Sequence, residues 1–182
     1  YCNLKRVDFL KYLPQELVSY MKNITNINRD RNEQIIEQAK KLNNLLLANS
    51  ITPIFLKGTG NLLAGIYEDI AERMVGDIDF IFSKEDYLKA ITILRESWYS
   101  EVEKLGDYLR PEHRHYQRLQ KENNIAAIEI HSEILGIEKY RKEFNYSVVE
   151  KNFQVIDEVR VLSYANKLNL SIISCQINDS GF

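Results

Sequence analysis

Apolar positions along the chain follow two rhythms, and the change between them places most of its elements. Residues 3–24 read as two helices. Leu4, Val7, Phe9, Leu10 and Leu13 give the first an apolar face, and Pro14 suits the first turn of a second that carries Leu17, Val18, Met21 and Ile24. Asn23 to Asn32 is polar and predicts a connector. Residues 33–48 show the clearest helical period, through Ile35, Ile36, Ala39, Leu42 and Leu46, and Asn49-Ser50 ends it. The pattern then tightens. Ile51-Thr52-Pro53-Ile54-Phe55-Leu56 is short and β-branched and predicts a strand, with Pro53 near its start where a lost donor is tolerated. Lys57-Gly58-Thr59-Gly60 turns into a helix over 61–67, and Glu68 to Val75 is a charged connector. Gly76 to Phe82 predicts the next strand. Ser83 caps a helix with Tyr87, Ala90, Ile91 and Leu94 on its buried stripe and Trp98 near its end. Residues 99–112 show no period. Arg114 to Gln120 alternates as a strand, Lys121 to Asn124 reads as a hairpin turn, and Ile125 to His131 as the returning strand. Residues 138–153 predict a short helix and a loop. Val155, Val159 and Val161 suggest one final short strand. Tyr164 to Ile177 predicts a helix with Leu168, Ile172 and Cys175 on one face.

The pattern reads as helices interleaved with short strands, with no internal repeat or second domain boundary. The 182 residues fit one compact unit, a helical segment 1–50 packed on a core 51–182. Lys+Arg 24 against Asp+Glu 26 gives a net charge of -2, which argues against a general nucleic-acid coat and makes long nucleic acid the least favoured partner. Cys2 and Cys175 stand near opposite ends, with no CxxC pair for zinc and no disulfide framework, so the reading expects a reducing cytoplasm. No apolar run reaches bilayer length, so no membrane partner is expected. A chain that opens on Tyr1 rather than Met and stops at Phe182 reads as trimmed, or as part of something longer.

Chemistry concentrates in three places. Asp77 and Asp79 are two apart in an apolar strand, so they share a face. Two such carboxylates repel and are costly to desolvate, a cost that a Mg²⁺ or Mn²⁺ ion removes. The bland alternative is two solvated aspartates at a strand end. Lys57, Gly58 and Thr59 place a positive charge, a flexible backbone and a hydroxyl at the start of a helix, which suits an anion. Arg73, four residues before Asp77, is a candidate for phosphate or carboxylate pairing. Glu129 and His131 share the face opposite Ile128 and Ile130, and Glu129 is a third acid for the aspartate pair. His131 is an accessory candidate, more naturally a hydrogen-bonded structural histidine. His113 and His115 lack zinc-ligand spacing.

In this order the pieces resemble the nucleotidyltransferases of the DNA polymerase β superfamily: a strand ending in Lys57-Gly58, a helix, Arg73-Met74-Val75-Gly76-Asp77-Ile78-Asp79, a helix, and a strand with Glu129-Ile130-His131. Within it the chain looks most like an uncharacterised bacterial nucleotidyltransferase family. The resemblance covers roughly residues 51–135 and, more loosely, the helix after 162. It implies an α+β fold, a small mixed sheet flanked by helices, with divalent ions held by Asp77, Asp79 and Glu129, a triphosphate cradled at Gly58-Thr59, and Lys57 or Arg73 on the phosphates. It also implies transfer of a nucleoside monophosphate from a nucleoside triphosphate to an acceptor hydroxyl of unknown identity, with release of pyrophosphate. Thr59 stands where the superfamily usually has serine, and the turn lies further from the aspartates than usual. Three other readings stay open: a sugar-nucleotide glycosyltransferase with an Asp-x-Asp pair, a catalytically degenerate nucleotide- or partner-binding protein of the same fold, and an enzyme that modifies a partner protein. Phe80-Ile81-Phe82 after the pair argues against a haloacid-dehalogenase-type phosphatase.

Overall fold

The computed structural model describes residues 1–102 and 114–178. Helix α1 (Cys2–Arg6) buries no side chain, and a 3-10 turn at Leu10–Tyr12 leads to α2 (Gln15–Ala48), with Pro14 at its N-cap. Helix α2 runs unbroken for 34 residues, so the connector expected at Asn23–Asn32 is helical. The reason lies far away in sequence. Asn28 and Asn32 are buried, and their amides donate to backbone carbonyls of the segment before the aspartate pair. Asn28 Nδ2 reaches the Ala71 oxygen at 2.9 Å, and Asn32 Nδ2 reaches those of Ile70 and Arg73 at 2.6 and 2.7 Å. The Arg29 guanidinium forks onto Asp69 at 2.6 and 3.2 Å, and Asp69 also accepts from the Ala71 N–H. A polar helix face is satisfied by another segment's backbone, which apolar periodicity cannot register.

Strand β1 (Ile54–Phe55) enters α3 (Lys57–Leu63), which begins and ends four residues earlier than predicted. A Cβ on Gly60 would stand 2.6 Å from the Phe55 carbonyl oxygen, so only glycine lets α3 fold back this closely on β1. Next come β2 (Asp77–Ile81) and α4 (Lys84–Glu96), whose N-cap Ser83 accepts from the Asp86 N–H. Short β3 (Ser100–Glu101) and β4 (Leu119–Gln120) flank the undescribed stretch, which includes His113. The strand predicted over 114–120 forms only at its end, with an isolated bridge from His115 to His131. Strand β5 (Ala127–His131) is followed by a one-turn α5 (Tyr146–Val149). The single final strand expected from Val155 to Val161 is a hairpin, β6 (Phe153–Ile156) and β7 (Val159–Leu162). Its turn residues Asp157 and Glu158 both have positive φ, a conformation that the sequence signature Asn-Gly normally announces and Asp-Glu does not. Helix α6 (Tyr164–Ile173) ends in a π-turn at Ser174–Asn178. Its buried residues are Asn166, Lys167 and Leu170, whereas Leu168, Ile172 and Cys175, the face predicted to pack, are exposed.

The seven strands among the described residues form one mixed sheet in the order β3-β4-β5-β2-β1-β7-β6, parallel at β2/β5 and at β1/β7. One face carries Phe55, Ile78, Phe80, Ile128, Ile130 and Val161 against Ile35, Ala39, Leu42 and Leu46 of α2 and Ala90 and Leu94 of α4. Phe55 and Phe80 meet edge-on at 5.6 Å in this core. The other face buries Ile54, Leu56, Ile81 and Leu162 with Leu135, Phe144, Val149 and Leu170. By strand alternation, Asp77, Asp79, Glu129 and His131 project on this second face, beside the apolar cluster and toward the side covered by α6.

Candidate active site

Register brings the acids together. Strands β2 and β5 are parallel with Asp79 opposite Glu129 and Ile81 opposite His131. Asp79 is 5% exposed and His131 is fully buried. Lys57, the first residue of α3, holds φ at 45°, a left-handed conformation costly for any residue with a Cβ. From there its ammonium pairs with Asp79 Oδ1 and lies 3.4 Å from His131 Nε2 and 3.5 Å from Glu129 Oε2. Arg118, just before β4, pairs with Asp77 Oδ1, and its Nε lies 3.5 Å from Glu129 Oε1. Thr59 Oγ1 donates to the Asp77 carbonyl at 2.7 Å, so its hydroxyl fixes the start of β2. Gly58 packs against Val75: a Cβ there would stand 3.0 Å from Val75 Cγ2.

Burial works against the Asp79 carboxylate by raising its pKa. The hydrogen bond from His131 Nε2 at 2.8 Å and the Lys57 charge outweigh it and hold the carboxyl at about 2. Burial also pushes the His131 pKa down, and the Asp79 contact only partly offsets it. The consistent state is a neutral imidazole with its proton on Nε2, donating to an ionised Asp79. In that state His131 orients the carboxylate. Its Nδ1 has no hydrogen-bond partner, so it lacks the outer-sphere acceptor that usually accompanies a metal-bound histidine.

Ligand atoms of Asp79, Glu129 and His131 lie within 4.8 Å of one another, the only such cluster among the described residues. With His131 Nε2 bonded to Asp79, the donors left are carboxylate oxygens, and an ammonium already stands among them. Both features fit a hard divalent cation. Asp77 shares the face but sits at its rim, turned to Arg118. Among the described residues, three carboxylates therefore face two cations, Lys57 and Arg118.

A cavity of about 620 Å³ opens beside this cluster. Lys57, Gly58 and Arg73, all expected from the sequence, line it together with Asn61, Tyr67, Arg114, Lys167 and Ser171. Its volume falls in the range of about 300–1,000 Å³ usual for small-molecule sites. Among the described residues that line it, four are cationic and none is acidic. Lys167 is 9% exposed, and its buried Nζ has no hydrogen-bond partner among the described residues; burial lowers its pKa, and the Nζ lies over the Tyr164 ring at 5.3 Å. Arg114, Arg118 and Lys167 were not among the sequence candidates. Arg118 had a signal: Leu119 pairs with Ile128, so alternation sets the preceding residue beside Glu129. Lys167 had none, since its position depends on how α6 crosses the sheet. Thr59 faces the β2 backbone rather than the cavity. His115 sets its ring edge against His131 at 5.4 Å and stays outside the acid cluster.

The crystal structure of a protein from Thermotoga maritima described as a "putative nucleotidyltransferase" superposes with a TM-score of 0.54 at 15% identity, covering 78% of this chain and 84% of that one. At that identity the likeness concerns the fold, and it matches the mixed sheet and flanking helices described above. No protein with curated annotation matches the chain. No helix among the described residues is long and apolar enough to cross a membrane. The profile of the family described as "Uncharacterised nucleotidyltransferase" matches residues 1–177, nearly the whole sequence, and the chain belongs to that family.

Proposed function

We propose that this protein is a metal-dependent nucleotidyltransferase that moves a nucleoside monophosphate from a nucleoside triphosphate to an acceptor hydroxyl. The observation that carries this reading is the junction of two unlike surfaces. Lys57, which lies against both Asp79 and Glu129, joins these carboxylates to a cavity whose charged lining, among the described residues, is all cationic. A polyphosphate in the cavity would set its innermost phosphate beside the acids.

Asp79 and Glu129, with Asp77 at the rim, would hold the divalent ion, Mg²⁺ or Mn²⁺. Such an ion, when bound, neutralises phosphate charge and lowers the pKa of the acceptor hydroxyl. Arg73, Arg114 and Lys167 would grip the leaving β- and γ-phosphates, and Gly58 would let them approach the backbone. The acceptor oxygen bonds to the α-phosphorus as the bond from α-phosphorus to the bridging oxygen breaks, and pyrophosphate leaves with that oxygen. Glu129 is the group to receive the acceptor proton. Its contacts to Lys57 and Arg118 are both 3.5 Å, long for hydrogen bonds, so its oxygens keep acceptor capacity. The acceptor class, a small molecule, peptide or protein, is open within this proposal, and a cytoplasmic setting belongs to it.

The test uses the four common nucleoside triphosphates labelled at the α- or γ-phosphate, with Mg²⁺ and a cell extract as the acceptor source. Transfer of the α-label with pyrophosphate release, lost in a folded Asp79→Ala variant, is the expected result. Transfer of the γ-label would replace the reading with a phosphotransferase. Turnover of a sugar nucleotide alone would favour the glycosyltransferase. Absence of both turnover and metal-dependent binding would favour a degenerate fold.

A further inference from the structure

Lys57 is placed twice over. Its ammonium sits among Asp79, Glu129 and His131, where a cation belongs, yet the same residue lines the neighbouring cavity. Its backbone is held in the left-handed region with no glycine to ease it, a conformation that persists only where surrounding contacts hold it, here the ion pair with Asp79. Lysine has four rotatable side-chain bonds, a point charge and no fixed donor fork, which suits a group that changes partners.

We propose that Lys57 is a resident counter-cation that competes with the divalent ion, so that metal alone binds weakly and enters when a polyphosphate draws the ammonium into the cavity. This rests on the nucleotidyltransferase reading and adds an order of assembly to it. Two positive charges cannot share the space between Asp79 and Glu129 without strong repulsion. A divalent ion must therefore displace the ammonium, and Arg73, Arg114 and Lys167 leave the cavity hostile to a fourth cation until an anion is present. Metal and polyphosphate then promote each other's binding by the same factor, as linkage requires. An empty site with its acids neutralised by lysine would also resist scavenging free metal.

The deciding experiment is a titration of Mn²⁺ alone, without nucleotide, into wild type and Lys57→Met, read by electron paramagnetic resonance of the free ion. The inference expects Mn²⁺ to bind the variant on the order of tenfold tighter or more. Removing the ammonium also leaves Asp79 uncompensated, so the metal-free variant should melt below wild type and regain stability with Mn²⁺. Should Lys57→Met fail to fold, Lys57→Gln removes the charge and keeps a hydrogen-bond donor to Asp79. Equal or weaker Mn²⁺ binding by a folded variant, with wild type binding metal and triphosphate together, would overturn the inference and leave the nucleotidyltransferase reading standing. No Mn²⁺ binding by any form, with or without triphosphate, would overturn both.

Discussion

Lys167 shows what single residues contribute here. A buried ammonium with no hydrogen-bond partner costs stability, because desolvation disfavours its charged form. An anion in the cavity would supply the missing partner. Lys167→Met is therefore expected to raise stability at neutral pH while weakening triphosphate binding about tenfold, the scale of a lost charged hydrogen bond. The pH dependence follows from the direction of the shift. The folded pKa lies below the unfolded 10.5, so between the two the unfolded chain binds more protons and stability rises with pH. Urea unfolding across that window should show the slope in wild type and its loss in Lys167→Met. A variant less stable at neutral pH, with unchanged triphosphate affinity, would refute the assignment. The shared face of Asp77 and Asp79, and of Glu129 and His131, follows from strand alternation alone, so that much of the site is legible in the sequence. Lys57 is legible as a cation of the site as well, and hairpin alternation signals Arg118; Lys167 is not legible, because it reaches the cavity only through the placement of α6.

At the scale of elements, α2 teaches the most. Its C-terminal half reads plainly through Ile35, Ala39, Leu42 and Leu46, which pack on the sheet. Its middle reads as a connector because Asn28 and Asn32 satisfy backbone carbonyls at residues 70–73 instead of forming an apolar stripe. The same distinction explains α6, whose exposed Leu168 and Ile172 misdirect a reading by apolarity while Asn166 and Lys167 are buried. Asn32 thus ties the longest helix to the segment that presents Arg73 to the cavity. Asn32→Ala removes two hydrogen bonds and takes this donor from the Ile70 carbonyl, while the Arg73 carbonyl keeps the longer bond from Asn28, so it should cost about 1–3 kcal/mol in chemical denaturation. It should also raise KM for the triphosphate more than it lowers kcat, because Arg73 loses the closer of its two anchors while the acids on β2 and β5 lose none. A change in kcat alone would argue against a role for this clamp in substrate binding.

Over the whole molecule, one face of the sheet holds the fold and the other holds both a second apolar cluster and the acids. The mixed sheet and flanking helices are legible through the family resemblance that the motifs at Lys57-Gly58, Asp77-Ile78-Asp79 and Glu129-Ile130-His131 carry. The β6/β7 hairpin and the closeness of α3 to β1 are not, because each rests on backbone geometry at particular residues, Asp157-Glu158 and Gly60. Placing ionised carboxylates against an apolar layer makes global stability acid-sensitive. The Asp79 pKa falls from 3.8 to about 2 on folding, so its contribution is complete above pH 3.8 and is lost as pH drops toward 2. The stability difference between wild type and Asp79→Asn should shrink over that interval in acid-unfolding curves, and a constant difference would contradict the ion pairing described.

The measurement closest to the central claim is calorimetric titration of a non-hydrolysable nucleoside triphosphate into the intact protein, with and without Mg²⁺, for wild type and Asp79→Asn. If the acids and the cationic cavity form one site, wild type binds the triphosphate much more tightly with Mg²⁺. Asp79→Asn then keeps the weaker metal-free binding and loses the enhancement. Binding that is indifferent to Mg²⁺, or an enhancement that survives in the variant, would mean that cavity and carboxylates do not act together on a nucleotide.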